Sequence, residues 1–268
     1  MKEFDPDIII HMAAQPVVLT SYEKPMETFD VNVWGTVCVL DAARKTNAKA
    51  ILVVTTDKVY KNNEEGRAFS EVSPLGGNDP YSASKACAEI VAESYCKSYD
   101  LPIATARSGN VIGGGDWTKD RILTDIVRHK HEGLPLTIRN PGSIRPWMHV
   151  LNVLDGYMSI CERVYISPDE VDYCTAYNFG PEESRITVGD IARYFDADWV
   201  SANPCVYESK TLMLDNALAK GWLDWEPMEV EVALKLTEEW YAAYYAGDEM
   251  KLYMQDLIER YERGMLHG

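Results

Sequence analysis

Residues 50–58 read Ala-Ile-Leu-Val-Val-Thr-Thr-Asp-Lys. The first five are continuously apolar and mostly β-branched, the pattern of a parallel strand covered on both faces. The run ends in two hydroxyls, a carboxylate and an amine. In an open parallel sheet, ligands gather at that carboxyl edge. One short stretch thus predicts both a fold class and the address of a site.

Strand and helix patterns alternate on either side of it. Asp7-Ile-Ile-Ile-His11 reads as a short buried strand, and apolar residues at helical spacing (Phe29, Val33, Val37, Leu40) predict a helix over 27–46. Pro80 opens a helix that runs to Tyr99, with a small-residue face of Ala83, Ala86, Ala88 and Ala92. A strand over 102–107, a Gly-rich turn at Gly113–Gly115 and a helix over 120–131 follow. Further strands are expected at 134–139 and 176–179, with helices at 150–164, 187–195, 215–220, 230–246 and 250–263. This alternation predicts an α/β chain: a Rossmann-like parallel sheet with helices on both faces, plus a smaller α+β C-terminal part.

Composition narrows the function. Forty-two acidic against 26 basic residues leave a net charge of −16, and no Lys/Arg run offsets it, so nucleic acid and anionic membrane are poor partners. No apolar run approaches a membrane span and the acidic start is no signal peptide, which predicts a cytoplasmic protein. The 6 cysteines are scattered, which predicts reduced thiols, with neither a disulfide frame nor a metal site.

Tyr81-Ser-Ala-Ser-Lys85 places a phenol and an ammonium one helical turn apart on one face. A nearby cation favours the phenolate, making Tyr81 a candidate acid/base for an alcohol–ketone interconversion. With 16 tyrosines in the chain, about one such pair is expected by chance. Thr56 and Asp57 are equally suited to capping a loop. Their joint layout, a strand end followed by a loop and a Tyr/Lys helix, gives the pair weight. One motif is absent: no G-x-G-x-x-G occurs, and the first strand is followed by Met-Ala-Ala-Gln. Either the protein holds no nucleotide, or the strands that carry that turn are not in this chain.

Eight segments, in order, resemble those of the CDP-glucose 4,6-dehydratases of the extended short-chain dehydrogenase/reductase superfamily. They are His11-Met-Ala-Ala-Gln15, Asn32-Val-Trp-Gly-Thr36, Thr55-Thr-Asp-Lys58, Asp79-Pro-Tyr-Ser-Ala-Ser-Lys85, Arg107-Ser-Gly-Asn-Val-Ile-Gly-Gly-Gly-Asp-Trp117, Asp120-Arg121, Arg139-Asn-Pro-Gly-Ser-Ile-Arg-Pro-Trp147 and Tyr177-Asn-Phe-Gly180. Related dehydratases carry Thr-Asp-Glu where this chain has Thr-Asp-Lys. The resemblance implies an incomplete NAD-binding core over 1–118 and a substrate-binding part over 119–268, interleaved with the last sheet strands. It implies CDP-glucose as substrate, NAD as cofactor and a homodimer.

It also implies roles. Tyr81 takes the C4 hydroxyl proton and Lys85 tunes it; Thr56 bonds the C4 oxygen. Asp57 is the acid for the leaving C6 hydroxyl, and Lys58 stands where relatives have a base. Ala13, Ala14, Gln15, Thr55 and Arg107, with Tyr81 and Lys85, are expected at the cofactor. Gln15, Asn110, Asp120, Arg121 and Arg145 are expected at the sugar nucleotide; an ion pair is the plain alternative for Arg145. His149 is expected to pack on Trp147, and Asn32 to tie two strand ends together. Two departures stand out. The segment after Cys205 reads Val-Tyr-Glu-Ser-Lys rather than His-rich, and the chain opens at what resembles the fourth strand. Two other readings follow: a non-catalytic remnant that binds a nucleotide sugar or a partner, and a nucleotide-sugar epimerase.

Overall fold

The computed structural model describes residues 1, 3–166, 174–182, 185–202 and 206–266. Its main sheet has four parallel strands in the order β1 (Ile8–His11), β2 (Ala50–Val54), β3 (Ile103–Ser108) and β7 (Ala176–Phe179). The register runs Ile9 beside Ile51, Val53 beside Thr105, and Ser108 beside Phe179.

Alternate residues of β2 feed two different cores. Ile51 and Val53 pack with Leu40, Ala43, Ala92 and Cys96 on one face, while Ala50 and Leu52 meet Val153, Tyr157 and Ile160 on the other. Period-2 side-chain placement with both faces covered is what the unbroken apolar run requires. β1 differs. Ile9 and His11 are buried but Ile8 and Ile10 are exposed, because β1 lies at the sheet edge and is covered on one face.

One face carries α1 (Val18–Glu23), α2 (Pro25–Phe29), a π-helical turn (Asp30–Trp34), α3 (Gly35–Ala43) and α4 (Pro80–Tyr99). The helix expected over 27–46 is thus three joined pieces, and its buried face is not the expected one. Thr28, Asn32, Thr36 and Leu40 turn inward, four residues apart, while Phe29 is exposed. Hydrogen bonding selects that polar face. Asn32 accepts from the Gln15 amide at 2.8 Å and donates to Ser84 Oγ at 2.9 Å, so it ties the loop after β1 to α4 rather than joining two strands. His11 Nε2 lies 3.1 Å from Thr36 Oγ1.

The opposite face carries α6 (Val150–Ile166) and α8 (Ala217–Leu223). A C-terminal lobe is built from α5 (Ile122–Glu132), α7 (Val188–Tyr194), α9 (Val230–Ala246), α10 (Met250–Glu262) and the short pair β5 (Thr137–Ile138) with β8 (Val200–Ser201). Its core joins Ile126, Trp147, Ile191, Leu234 and Leu257. A second parallel pair, β4 (Asn110–Ile112) with β6 (Trp147–His149), lies at the seam between sheet and lobe; the sequence reading has no strand there. His149 is buried at the end of β6, and its Nδ1 accepts from the Leu151 amide at 3.3 Å.

The expectation of six free thiols is corrected. Cys96 near the end of α4 and Cys174 just before β7 form a disulfide; both flank β3, which brings residues 78 apart in sequence together. Cys38, Cys87 and Cys161 are free, and Cys205 lies outside the described residues.

Candidate active site

β2 delivers Thr55 and Thr56 to the carboxyl edge of the sheet, where a 3₁₀ turn over Asp57–Val59 begins. Thr56 caps that turn: its Oγ accepts from the Lys58 amide at 3.4 Å and donates to Asp57 Oδ1 at 2.9 Å. The hydroxyl that caps the turn also faces the cavity. Asp57 is 2% exposed, and its Oδ2 makes no hydrogen bond among the described residues. Lys58 Nζ lies 3.8 Å from Asp57 Oδ1. Burial pushes the Lys58 ammonium below its usual range, with the Asp57 charge working against that fall.

α4 supplies the second half. Asp79 accepts from the Ser82 amide at 2.9 Å and Pro80 fixes the first turn, so Tyr81 and Lys85 sit in the opening turns of a firmly started helix. Both are buried. Burial pushes the Tyr81 phenol up to about 12, with Thr56 and Arg121 acting to lower it. Lys85 Nζ donates to the Val54 carbonyl at 3.0 Å, and burial brings its ammonium down to about 8.

A cavity of about 450 Å³ opens over these groups. It is lined by Thr55, Thr56, Asp57, Lys58 and Tyr81 on the sheet side, and by Asn110, Asp120, Arg121 and Arg145 across from them. Nine candidate residues scattered over some ninety positions of sequence thus share one space. Arg145 is buried without a carboxylate in ion-pair range among the described residues; its Nη1 donates to the carbonyls of Ile144 at 2.9 Å and Lys210 at 3.4 Å. A buried cation without an ion-pair partner is suited to hold an anion. Arg121 is more open and meets Asp116 at 3.3 Å.

Five expected residues, Lys85 among them, stand apart from the lining. Arg107 lies beneath the site: its Nε and Nη2 bond Glu89 at 2.9 and 3.0 Å, and its Nη1 bonds the Tyr60 hydroxyl at 2.9 Å. Four of its five N–H donors are thus spent inside the fold. Gln15 uses both ends of its amide locally, donating to Thr28 Oγ1 at 2.9 Å and accepting from the Val17 amide at 2.6 Å. Ala13 and Ala14 follow β1 beside Met12, the residue of that loop that does line the cavity together with Pro16 and Val17. The lining residues not singled out as site candidates include Asp116, Glu208 and Arg139. Arg139 pairs with Asp120 at 3.6 Å and Glu208 at 3.5 Å. Their signal was weak, since loop positions far apart in sequence meet only in the fold.

Known proteins share this architecture and this sequence. The chain is 39% identical to the CDP-glucose 4,6-dehydratase of Salmonella typhimurium over 97% of its length and 77% of that protein's. Among solved structures, the dTDP-glucose 4,6-dehydratase of Streptomyces venezuelae with NAD bound superposes with a TM-score of 0.77 at 25% identity, over 91% of this chain and 75% of that one. The UDP-glucuronic acid 4-epimerase of Bacillus cereus superposes at 0.80 with 21% identity, over 91% and 78% of the two chains, a likeness of fold. A sequence profile of the NAD dependent epimerase/dehydratase family matches residues 1–174. With that match, and with the parallel sheet and the Tyr/Lys helix in place, the chain belongs to the NAD dependent epimerase/dehydratase family.

Proposed function

We propose that this chain is a CDP-glucose 4,6-dehydratase, turning CDP-glucose into CDP-4-dehydro-6-deoxyglucose with NAD as cofactor, the part from residue 119 on serving the substrate. The observation that carries this reading is Asp57, a buried carboxylate that faces the same cavity as Tyr81 and has an oxygen unspent on the protein. An epimerase acting at C4 needs the tyrosine but no acid for C6. The residues present fit the nicotinamide end of the cofactor: Met12, Pro16 and Val17 border the cavity beside Thr55 and Tyr81. They include no Gly-rich turn for its pyrophosphate.

NAD held beside Met12, Pro16 and Val17 would supply a hydride acceptor for C4 and a hydride donor for C6. Tyr81 takes the C4 hydroxyl proton, and a cation brought beside the phenol favours that transfer. The Thr56 hydroxyl steadies the developing C4 oxygen. Lys58, whose ammonium is held low by burial, removes the C5 hydrogen as a neutral amine and later gives it back. Asp57 hands a proton to the departing C6 hydroxyl. Arg145 and Arg121 hold the diphosphate.

Incubation with CDP-glucose and NAD tests this by mass spectrometry. A product lighter than substrate by one water is expected. A C4-inverted sugar of unchanged mass supports the epimerase reading instead, and bound but unaltered substrate supports the remnant.

Assembly and location belong to the same proposal. Trp34 on the π turn and Ile90 on α4 are 60% and 56% exposed, with Val31 and Cys38 beside Trp34. Ala88 of the same helix is buried in its own fold and adds nothing to this face. Isologous pairing of these helices in a homodimer covers the exposed residues. Sedimentation is expected to show a discrete dimer that Trp34→Glu weakens, and an intact dimer in that variant rules out this face. The acidic composition supports a cytoplasmic enzyme, as does the absence, among the described residues, of a helix long and apolar enough to cross a membrane.

A further inference from the structure

α4 carries a third chemical group in line with Tyr81 and Lys85. Glu89 follows Lys85 by one turn on the same face, and it is buried. Its carboxylate accepts from four donors. Oε1 takes Thr55 Oγ1 and Arg107 Nε (2.9 Å); Oε2 takes Thr105 Oγ1 (2.8 Å) and Arg107 Nη2 (3.0 Å). Thr55 immediately precedes Thr56 and Asp57, and Thr105 and Arg107 belong to β3. Glu89 therefore joins the helix bearing one half of the catalytic set to the strand ends bearing the other. Arg107 extends the join: its Nη1 also donates to the Glu71 carbonyl at 3.0 Å, and the Tyr60 hydroxyl it meets donates to Asn178 on β7 at 2.6 Å.

Stability alone is a poor reason for such a pair. Burying two charges costs nearly as much as their attraction returns, and apolar residues of similar volume often replace such pairs without loss. What apolar residues cannot supply is a fixed geometry with four directional bonds. We propose that Glu89 is a positioning residue of this enzyme: clamped by Arg107, Thr55 and Thr105, it sets the placement of Tyr81 and Lys85 against Thr56 and Asp57. The kinetic part of its test rests on the dehydratase reading; the exchange part does not.

The test compares the full chain with Glu89→Gln and with the apolar double variant Glu89→Leu/Arg107→Met. Expected for Glu89→Gln is a kcat lower by about 10²-fold with a much smaller change in KM, since a displacement near 1 Å in a reacting pair costs about that much. The double variant is expected to regain the melting temperature of the unmodified chain while kcat stays low. Hydrogen exchange is expected to quicken at 54–58 and 80–90 in both variants and to stay unchanged in α9 and α10. If the double variant recovers kcat along with stability, the pair is only structural and the proposal falls. Unaltered exchange at 54–58 and 80–90 overturns it equally. If the unmodified chain turns over no CDP-glucose, the dehydratase reading fails, and the exchange comparison alone decides the role of Glu89.

Discussion

The two walls of the cavity are built to different standards. On the sheet side, Asp57, Tyr81 and Lys85 are all less than 9% exposed and hang from a strand end and a capped helix. On the lobe side, the Arg121 and Asp120 side chains are 39% and 48% exposed, and Arg139 and Glu208 sit on loops. Proton transfer needs fixed geometry and little water, while a bulky anionic ligand needs an opening and adaptable charge. Under the proposed function, the difference divides chemistry and recognition between the two halves. Arg145 is the exception, a lobe-side cation buried as deeply as the catalytic set.

The sharpest way to break this division is within the sheet wall. In the proposed mechanism, Tyr81→Phe removes the group that acts before a ketone exists, and Asp57→Asn removes one that acts after. Tyr81→Phe is expected to slow C4 oxidation by about 10²–10⁴-fold. Asp57→Asn is expected to leave that half-reaction intact and slow water loss by a comparable factor. Rapid-mixing absorbance of the reduced nicotinamide separates the two steps. Equal damage to the first step by both substitutions would show that the two residues act as one unit.

The seam between the halves offers a pH test. His149, buried on β6, is held down from the usual 6.5 to about 4 by burial alone. A histidine kept neutral in the fold binds a proton more readily once unfolded. Its contribution is therefore complete above about pH 6.5 and is lost as pH falls toward 4, amounting to about 3 kcal/mol at the acid end. Replacing His149 with Gln is expected to flatten stability against pH between 6.5 and 4, measured by urea unfolding. An unchanged slope would place the acid sensitivity in the carboxylates.

How much of this was legible follows from how local each signal is. α4 was readable because Pro80 opens it and small residues recur along one face; Asp79 and the αL residue Asp100 are the caps the structure adds. β2 was readable because burial on two faces leaves an unbroken apolar run. The catalytic positions were readable because they cluster in two short motifs. The buried face of the 25–43 stretch was not, since a π turn and polar partners override hydrophobic spacing. Nor was the partner of Lys85, whose ammonium reaches the Val54 carbonyl on the neighbouring strand. Arg107 resembled a cofactor ligand because its partner Glu89 is eighteen residues distant and reaches it only through the packing of α4 on β3.

On the lobe wall, Arg145→Met probes recognition without touching the proton-transfer groups. Its neighbours Ile144 and Pro146 keep their backbone bonds to Lys210 and Asn110. The loss of charge-assisted bonds to phosphate is worth about 1.5–3 kcal/mol, or a KM higher by about 10–100-fold, with kcat changed little. A fall in kcat with KM unmoved would mean that Arg145 serves the chemistry through its proximity to Asp57.

The smallest expected effect asks whether the lobe can lose stability without disturbing the site. Thr187 caps α7 in a reciprocal box: its Oγ accepts from the Asp190 amide at 3.1 Å, and the Thr187 amide donates to Asp190 Oδ2 at 2.9 Å. α7 places Ile191 and Ala192 in the lobe core, so a weakened cap loosens packing there. The cap also adjoins the loop that carries Arg145, through the Ile144–Thr187 bridge and the bond from the Val188 amide to the Ser143 carbonyl. That loop has a second anchor, because the Ile144 amide donates to the Lys210 carbonyl at 2.9 Å and the Leu212 amide to the Ile144 carbonyl at 3.2 Å. With two anchors, losing the strength of one leaves Arg145 in place. Thr187→Ala is thus expected to cost about 1 kcal/mol in denaturant unfolding, with KM and kcat unchanged. A KM that rises in step with the lost stability would show that the binding wall depends on the lobe's packing, and that the division between the two walls is less complete than their exposure implies.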